Sequence, residues 1–477
     1  MRVKLARIPA GAIAAGRVLA APGLASMMTA GMLLGTAPAT IAATSPADVS
    51  VPCRAATLAA DLSAATGGET LQLEPSCRYV LTAALPAIRE NLTIQGNGAT
   101  LERSYAAGTP DFTILTVWAG DVDIRQLNFR HGDSESGGAI DSGGVVVEAT
   151  SSVTVTGGTF TDNTASAGGA IYNNTGATLT VQGASFTGNS AGTGGAIYNG
   201  TSVSPPAQIT VLKVTAATFT GNTATGDYGD AGGGGIGNDG NATVSSSTFT
   251  RNTDAGIGNS ETGTVAVTHS YFSGNSYSGI RTEGHLSVTG STFTGNTAPY
   301  RGGGIDDDSS VGGMLTVTGT TFKANTAGVG GGGIYNYLVA DVTNDRFIGN
   351  RASVGGGMEN EDTATVLNSV FLQNTATSDG GGFYNDCQAT VTGSTFDRNK
   401  AGVDGGGLEN INSILAPCFG TPTLALTTSK VRGNIAGTDG GGIYNFGGAS
   451  ISLTSAVVTG NNPDNCAPPN SVADCTG

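Results

Sequence analysis

Charged side chains and helical periodicity are scarce in this sequence. Only 12% of its 477 residues are charged and 16 are proline, whereas 77 are glycine. Beyond the N-terminal region, the spacing typical of amphipathic helices is not sustained. Frequent glycine without a strict three-residue period excludes collagen, and the regular Val, Ile, Leu and Phe positions argue against disorder. The composition therefore favours one repetitive β-structure over several globular domains.

Basic residues are also few, and four of the 21 lie in the first 43 residues. This segment combines a basic start, an apolar run over about residues 18–34 and small residues at 37–39, a pattern typical of a cleaved signal peptide. A membrane anchor is the alternative, although proline and glycine interrupt the short apolar run. We therefore expect residues 1–43 to be a signal peptide and the protein to be exported.

The mature chain would be strongly acidic, because removing four basic residues changes the net charge from −15 to −19. A surface of this charge repels nucleic acid and anionic membranes. No second apolar run is long enough to cross a bilayer, so we expect no transmembrane segment in the mature chain.

The six cysteines form three pairs that are local in sequence. An even cysteine count in an exported chain indicates disulfides, and six cysteines allow 15 connectivities. Zinc binding is the alternative, but the sequence has no CxxC spacing and no histidine nearby. Locality favours the pairs Cys53–Cys77, Cys387–Cys418 and Cys466–Cys475.

Two short motifs recur from Gly137 onward. The first is a glycine pair followed by Ala or Gly and an apolar residue, at residues 140, 171, 197, 236, 305, 334, 358, 383, 408 and 443, with shortened versions at 257 and 280. The second is F-x-x-N, with asparagine at residues 163, 189, 222, 252, 275, 296, 325, 350, 374 and 399, continued with Val in place of Phe at 434 and 461. Alternating strands such as Leu315-Thr316-Val317-Thr318 lie between the two motifs.

Three short strands and three turns in about 24 residues describe one coil of a parallel β-helix. We predict an all-β solenoid of about 12 coils over residues 86–460. Residues 44–85 should form an N-terminal cap that includes a short helix with Leu58 and Leu62 on its buried face. Residues 461–477 are predicted to form a C-terminal cap.

The two motifs resemble the polymorphic outer-membrane protein repeats of the pectin-lyase-like superfamily. From about residue 50 to residue 475, the chain is similar to secreted bacterial right-handed parallel β-helix repeat proteins. This resemblance implies a right-handed helix, a location outside the bacterium or on its surface, and an adhesin-like role. Because relatives in the superfamily include polysaccharide lyases and hydrolases, it also directs attention to catalytic residues.

An asparagine follows the apolar residue of the first motif by two positions in nine of eleven coils from Ile171 onward. We predict that these asparagines point inward and bond to one another and to the backbone from coil to coil. Their role is therefore interpreted as structural.

The densest acidic cluster is Asp306-Asp307-Asp308, and Arg281 occupies the position of Asp306 one coil earlier. A carboxylate cluster beside a basic residue suits a calcium-dependent lyase or a sugar site. The alternative is a surface ion pair between cross-strand neighbours, which would contribute less than about 1 kcal/mol. Calcium is the one cofactor this cluster suggests, and the sequence indicates no other cofactor or metal.

A second candidate is the position next to the apolar residue of the first motif, which should face outward. Glu359 and Glu409 would lie two coils, or about 9.6 Å, apart, near the upper limit for an inverting carboxylate pair. Aromatic and acidic residues on one stripe could also bind a glycan chain, or could merely cover an exposed sheet. The residues of this predicted stripe are Tyr172, Tyr198, Tyr335, Glu359, Tyr384, Glu409 and Tyr444.

Two functions are consistent with these patterns. The first is a secreted, non-enzymatic β-helix that binds surfaces or glycans through the stripe and through three insertions at residues 200–208, 223–233 and 411–423. The second is a polysaccharide lyase or hydrolase that uses Asp306, Asp307, Asp308 and Arg281, or Glu359 and Glu409. The sequence favours the first.

Overall fold

The computed structural model describes residues 48–142, 151–174, 176–200, 209–226, 232–309, 312–412, 418 and 420–475. The predicted signal peptide and much of the three insertions lie outside these ranges. From Asp48 onward, strands follow one another with short turns, as the alternation of apolar and polar residues predicts.

The described strands form three long sheets in which every neighbouring pair of strands is parallel and comes from successive coils. This arrangement confirms the parallel β-helix. From Leu92 onward, the chain passes within each coil from sheet 1 to sheet 2 and then to sheet 3. Sheet 1 contains, in stacking order, Asp48–Val51, Glu69–Leu73, Leu92–Gln95, Gly120–Arg125, Ser151–Thr156, Thr178–Gln182, Val211–Thr215, Asn241–Ser245, Thr264–Thr268, His285–Thr289, Leu315–Thr318, Val339–Thr343, Thr363–Leu367, Gln388–Thr392, Thr423–Thr427 and Ser450–Thr454.

Sheets 2 and 3 consist mostly of three-residue strands. Sheet 2 contains Arg78–Leu81, Thr100–Arg103, Asn128–Arg130, Thr159–Thr161, Ser185–Thr187, Thr218–Thr220, Thr248–Thr250, Tyr271–Ser273, Thr292–Thr294, Thr321–Lys323, Arg346–Ile348, Val370–Leu372, Thr395–Asp397, Lys430–Arg432 and Val457–Thr459. Sheet 3 contains Leu115–Val117, Ile140–Ser142, Ile171–Asn173, Ile197–Asn199, Ile236–Asn238, Ile257–Asn259, Ile280–Thr282, Ile305–Asp307, Ile334–Asn336, Met358–Asn360, Phe383–Asn385, Leu408–Ile411, Ile443–Phe446 and Cys466–Ala467.

Two small sheets are formed by strands that follow a sheet 2 strand and precede a sheet 3 strand along the chain. The first contains Asp133–Ser136, Thr164–Ala167, Ser190–Thr193 and Thr223–Ala224, and the second contains Thr297–Ala298, Thr326–Ala327, Arg351–Ala352 and Thr375–Ala376. We call the second of these sheets, with the glycine-rich segments that follow its strands, the flange (residues 297–302, 326–331, 351–355 and 375–380). The flange borders one row of sheet 3.

The interior of the helix is filled by one aromatic stack. Phe129 to Phe396, one phenylalanine from each successive strand of sheet 2, lie with neighbouring ring centroids 4.5–5.0 Å apart and ring planes nearly parallel. All of these rings are fully buried. Stacking at the interstrand distance follows from the register, since each phenylalanine is paired with that of the next coil.

The F-x-x-N asparagines form a hydrogen-bonded ladder at the corner after sheet 2. In each link, Nδ2 of one asparagine donates to Oδ1 of the next, which also accepts from the backbone N–H of the first; from Asn325 to Asn350 the side-chain distance is 3.1 Å. Nδ2 also donates to the carbonyl of the phenylalanine one coil earlier, at 3.0 Å from Asn325 to Phe293. One side chain thus satisfies several buried polar groups at every corner.

A second ladder runs inside sheet 3, as predicted. Nδ2 of Asn336 donates to Oδ1 of Asn360 at 2.6 Å, and Nδ2 of Asn360 donates to Oδ1 of Asn385 at 2.8 Å. Asp307 occupies the equivalent position one coil before Asn336 and is fully buried. The expectation that Asp307 belongs to an outer acidic cluster is therefore wrong, because strand alternation turns it inward.

The three predicted disulfides are present, between Cys53 and Cys77, Cys387 and Cys418, and Cys466 and Cys475. A helix at Ala55–Ala64 buries Leu58 and Leu62 and contacts the first strands of sheets 1 and 2. Strands of sheet 1 begin at Asp48 and a strand of sheet 3 reaches Ala467, so sheets extend into both segments predicted as caps. The described helix is too short to cross a membrane.

Candidate functional site

The predicted stripe corresponds to one continuous row of sheet 3. Strand pairing places each member directly beside the next, and it confirms that Arg281 and Asp306 are cross-strand neighbours. We call this set the sheet 3 row. Its members, in register, are Asp141, Tyr172, Tyr198, Gly237, Gly258, Arg281, Asp306, Tyr335, Glu359, Tyr384, Glu409 and Tyr444.

The row is not the open surface that alternation predicted. Tyr172, Tyr335, Glu359 and Glu409 are buried, although their backbone position places them on the outer side of sheet 3. In the middle coils, the flange covers this side. The expectation of a uniformly exposed stripe is therefore wrong.

Glycines in the flange allow the close approach. A Cβ atom on Gly330 would lie only 1.4 Å from Oε2 of Glu359, and one on Gly380 would lie 2.8 Å from Cβ of Tyr384. Only glycine leaves room for these side chains beneath the flange. The same glycine-rich motif that marks the repeat thus also buries the row.

Arg301, in the flange, covers the centre of the row. Its guanidinium lies 4.5 Å from the ring centroid of Tyr335, and Nη1 donates to the Tyr335 hydroxyl oxygen at 2.5 Å. Nη2 lies 3.5 Å from Oε1 of Glu361, the residue two positions after Glu359. The guanidinium therefore satisfies a buried phenol and partly neutralises its acidic surroundings.

Burial raises the pKa of the row's carboxyl groups far above the usual range. The pKa of Asp306 rises to about 8, that of Glu359 to about 8 and that of Glu409 to about 9, in each case chiefly because the charged form is desolvated. Asp306 Oδ1, Glu359 Oε2 and Glu409 Oε2 are buried atoms without a hydrogen-bond partner among the described residues. The raised pKa values favour the protonated, neutral form of these three groups at pH 7.

Glu359 and Glu409 are poorly suited to serve as the carboxylate pair of an inverting hydrolase. Pairing through Tyr384 places Glu359 and Glu409 two strands apart, as expected. An inverting enzyme needs one ionised carboxylate as a base, but the pKa values of both groups lie above 7. The two side chains are also buried.

The aspartate triplet divides between two sides of the sheet. Asp306 is half-buried in the row, Asp308 is exposed, and Asp307 points inward, where it accepts a hydrogen bond from the Ser309 hydroxyl at 2.5 Å. Arg281 Nη2 lies 2.9 Å from Oε1 of Glu283. Among the described residues, no group of three or more His, Cys, Asp or Glu side chains could hold a metal ion.

The C-terminal end of the row is more open. Tyr384 and Tyr444 are half-buried, Phe446 is exposed, and the Tyr444 and Phe446 rings lie 5.9 Å apart and nearly parallel. Asp379 and Asp404 border this end, and Asp379 Oδ1 accepts the Asp404 N–H at 3.1 Å. Negative charges next to Glu409, Asp379 first, further raise its pKa.

Several residues near the row were not predicted from the sequence. Asp239, Glu361 and Asp386 follow the inward asparagine of their coils, and the hydroxyl of Tyr198 donates to Asp239. Their regular spacing, two positions after the row, was a usable signal. Arg301 had no comparable signal, because its position depends on how the flange folds over sheet 3.

Residues 157–174 match the Chlamydia polymorphic membrane protein (Chlamydia_PMP) repeat. This confirms the resemblance that the two motifs indicated. No curated protein matches the chain.

Two solved structures of epimerases are similar to this chain. The periplasmic alginate epimerase AlgG, as a mutant, matches at 8% identity over 82% of this chain and 84% of its own, with a TM-score of 0.31. The A-module of mannuronan C-5 epimerase AlgE6 from Azotobacter vinelandii matches at 12% identity over 87% of this chain and 96% of its own, with a TM-score of 0.30.

Proposed function

We propose that this protein is an extracellular or surface-located bacterial β-helix that binds a neutral polysaccharide without cleaving it. Binding takes place at the open end of the sheet 3 row, at Tyr384, Tyr444 and Phe446. The adhesin-like role suggested by the repeat is consistent with this activity. The observation that carries the proposal is the combination, in one register, of half-exposed aromatic rings with a neutral buried acid, Glu409.

Aromatic faces stack on the apolar faces of sugar rings, and acceptor groups at their edges bind sugar hydroxyls. Successive row positions are separated by about 4.8 Å, so the aromatic groups repeat along the direction in which an extended polymer would lie. Asp379, Asp404 and the exposed Asp439 surround the same end. Their charges repel anionic polymers, so a neutral polysaccharide is the favoured ligand.

The experiment is a binding titration of the secreted chain with neutral oligosaccharides, such as cello- and manno-oligosaccharides, and with polygalacturonate as the acidic comparison. We expect saturable binding of a neutral ligand only. Tyr384→Ala and Tyr444→Ala should each weaken it about five- to tenfold, because a lost aromatic contact costs about 1 kcal/mol. Tyr271→Ala is the matched control, since Tyr271 is exposed on sheet 2 and its loss should leave binding unchanged.

Turnover would support the lyase or hydrolase alternative instead. New reducing ends or unsaturated products that disappear in Glu359→Gln or Asp306→Asn would overturn the non-enzymatic proposal. Equal binding by the Tyr384→Ala and Tyr271→Ala variants would place the ligand elsewhere on the molecule.

A further inference from the structure

A separate group of charged residues lies on the outer side of sheet 2, in its first coils. Glu102 is turned outward but is nearly fully buried. The Arg78 guanidinium covers it through two parallel contacts, one from Nε to Oε2 and one of 2.6 Å from Nη2 to Oε1. Such fork-to-carboxylate pairing fixes the orientation of both groups.

His131 supports Glu102 from the other side. Its Nδ1 lies 3.3 Å from Glu102 Oε1, and the Tyr105 ring packs on the imidazole with centroids 4.1 Å apart. His131 Nε2 lies 3.7 Å from Oδ2 of Asp162. Because a carboxylate accepts, Nδ1 carries the proton of the neutral ring. His131 therefore positions Glu102.

The backbone at this place follows the corner conformation of the repeat. His131 and Asp162 occupy successive coils at the same corner position, with φ of 60° and 53°. Glycine occupies this position in many later coils, including Gly188 and Gly221. Arg251, Gln373 and Arg398 adopt the same conformation in later coils, with φ of 53–55°, so it belongs to the repeat and does not by itself mark a site.

A cavity of about 500 Å³ opens beside the Arg78–Glu102 pair. This size suits a ligand of one or two sugar rings. The polar side chains that line it come from four successive strands of sheet 2 and include Arg78, Glu102, Arg130, Thr100, Thr159 and Thr161.

The two guanidinium groups keep donors available for a ligand. Arg78 uses two of its five N–H donors on Glu102, and its side chain is 64% exposed. Arg130 is 49% exposed, and its contact with Asp162 is long, at 3.7 Å. Hydrogen bonds from Arg78 lower the pKa of Glu102, so this carboxylate is charged at neutral pH and fixes the orientation of the Arg78 guanidinium.

We propose that this cavity is a second binding site, for an oxyanion carried on a polyhydroxylated molecule. Arg78 and Arg130 bind the oxyanion, while the threonine hydroxyls bind the ligand's hydroxyl groups and Glu102 holds the Arg78 guanidinium in place. Glu102 and Asp162 balance the charges of the two guanidinium groups, so the preference for an oxyanion comes from their remaining N–H donors. The site differs from the sheet 3 row in location, charge and ligand, and does not depend on it.

The test is calorimetric titration of the mature chain with gluconate, and with sorbitol as its neutral counterpart. We expect gluconate to bind and sorbitol not to bind measurably. Arg130→Gln should weaken gluconate binding about tenfold or more, since a charge-assisted hydrogen bond contributes about 1.5–3 kcal/mol. Inorganic sulfate and inorganic phosphate are added as competitors of gluconate. Competition by one of them would show that the site accepts a tetrahedral oxyanion, and competition by neither would show that it accepts a carboxylate.

Arg78→Gln could uncover the buried Glu102 and unfold the region, so Arg78→Lys is the second variant. Lysine keeps the positive charge but lacks the two parallel N–H donors of a guanidinium group. Gluconate binding should therefore weaken while the unfolding midpoint changes little. Arg346→Gln is the matched control, because Arg346 is exposed and lies in the same outward row of sheet 2 as Arg78. Equal binding of gluconate and sorbitol, no binding of any anion, or equal losses in Arg130→Gln and Arg346→Gln would each overturn the proposal.

Discussion

The corner after sheet 2 and the sheet 3 row differ in how they use the repeat. At the corner, Phe and Asn recur in coil after coil, and each side chain bonds or stacks with its own counterpart. In the row, Tyr, Glu, Asp, Arg and Gly alternate without order, although register and backbone are the same. The same repeated backbone thus carries a uniform ladder of side chains at the corner after sheet 2 and a variable set of side chains in the sheet 3 row.

The difference follows from what each position must satisfy. A corner residue is buried in every coil and must bond to the coil before and the coil after, so any departure leaves polar groups unpaired. A residue of the sheet 3 row needs only to fit beneath a flange glycine or to be exposed to solvent. The stability of the protein should therefore depend mainly on the corner, and its ligand specificity on the row.

The largest expected loss follows removal of a corner asparagine. Asn325 Oδ1 accepts from the N–H and the Nδ2 of Asn296, and Asn325 Nδ2 donates to the Phe293 carbonyl and to Asn350 Oδ1. Asn325→Ala leaves these buried groups unsatisfied and should lower the free energy of unfolding by about 3–5 kcal/mol, measured by urea denaturation.

Phe322→Ala should cost a similar amount, about 3–5 kcal/mol, because it opens a cavity in the aromatic stack. Thr316→Ala, on the outer side of sheet 1, is the control and should change the free energy of unfolding by less than about 0.5 kcal/mol. If Asn325→Ala proved as mild as this control, the ladder would be a consequence of the fold and not a source of its stability.

The second prediction concerns pH and the row. The pKa of Glu359 is raised to about 8 in the folded chain, above its value when unfolded. Its contribution to stability is therefore fully present below the unfolded value of about 4.5, is lost as pH rises from there to about 8, and changes no further above that pH. Glu359→Gln, which keeps a neutral group of the same shape, should match the original chain at pH 5 and exceed its free energy of unfolding by roughly 1–3 kcal/mol at pH 9.

Glu409→Gln should begin to diverge over the same pH range and continue to diverge up to a higher pH, since the pKa of Glu409 is raised to about 9. Glu261→Gln is the control, because Glu261 is exposed. The measurement is chemical denaturation at a series of pH values. Parallel curves for Glu359→Gln and the original chain would mean that Glu359 is ionised beneath the flange.

A smaller effect of the same kind is expected inside sheet 3. Asp307 Oδ2 and Asn336 Oδ1 are both buried acceptors without a partner among the described residues, and they are adjacent in register. Burial raises the pKa of Asp307 to about 7, and only its protonated form can donate to Asn336. Asp307→Asn would supply the missing Nδ2 donor and should add about 1 kcal/mol at pH 8 and almost nothing at pH 5.

Asp308→Asn separates this effect from a general loss of negative charge, because Asp308 is exposed beside it. Denaturation curves at the two pH values provide the comparison. Destabilisation by Asp307→Asn at pH 8 would show that the ionised carboxylate has a partner and that the ladder is complete without a proton.

Much of this arrangement was predictable from the sequence. Repeat spacing was sufficient for the parallel helix, the register of Arg281 with Asp306 and the inward asparagines, because each follows from stacking one coil on the next. The same alternation also predicts that Asp307 points inward. That outcome was missed because three adjacent aspartates suggested one cluster.

Burial of the row could not be predicted in this way. It depends on the path of the flange, which the period of the strands does not determine, and on the close approach of Gly330 to Glu359. The Glu102–His131 group lies in the early coils, before the two motifs become regular. Sequence reasoning therefore succeeded where the repeat holds and failed where the chain between strands determines the environment.

The smallest predicted effect tests whether the corner tolerates departures from its pattern. Ala324 has a φ of 53°, whereas the same position in the next coil is Gly349, with a φ of 61°. Alanine in this left-handed conformation is strained by about 1 kcal/mol, partly offset by the greater freedom of glycine in the unfolded chain. Ala324→Gly should therefore raise the free energy of unfolding by about 0.5 kcal/mol.

Gly349→Ala is the reciprocal variant and should lower the free energy of unfolding by a similar amount. No atom lies within 4 Å of a Cβ built on Gly349, so its cost would come from backbone conformation alone and not from a clash. Urea denaturation of both variants gives the comparison. Opposite signs would show that backbone conformation selects glycine at this corner, and equal signs would show that the backbone relaxes to accept either residue.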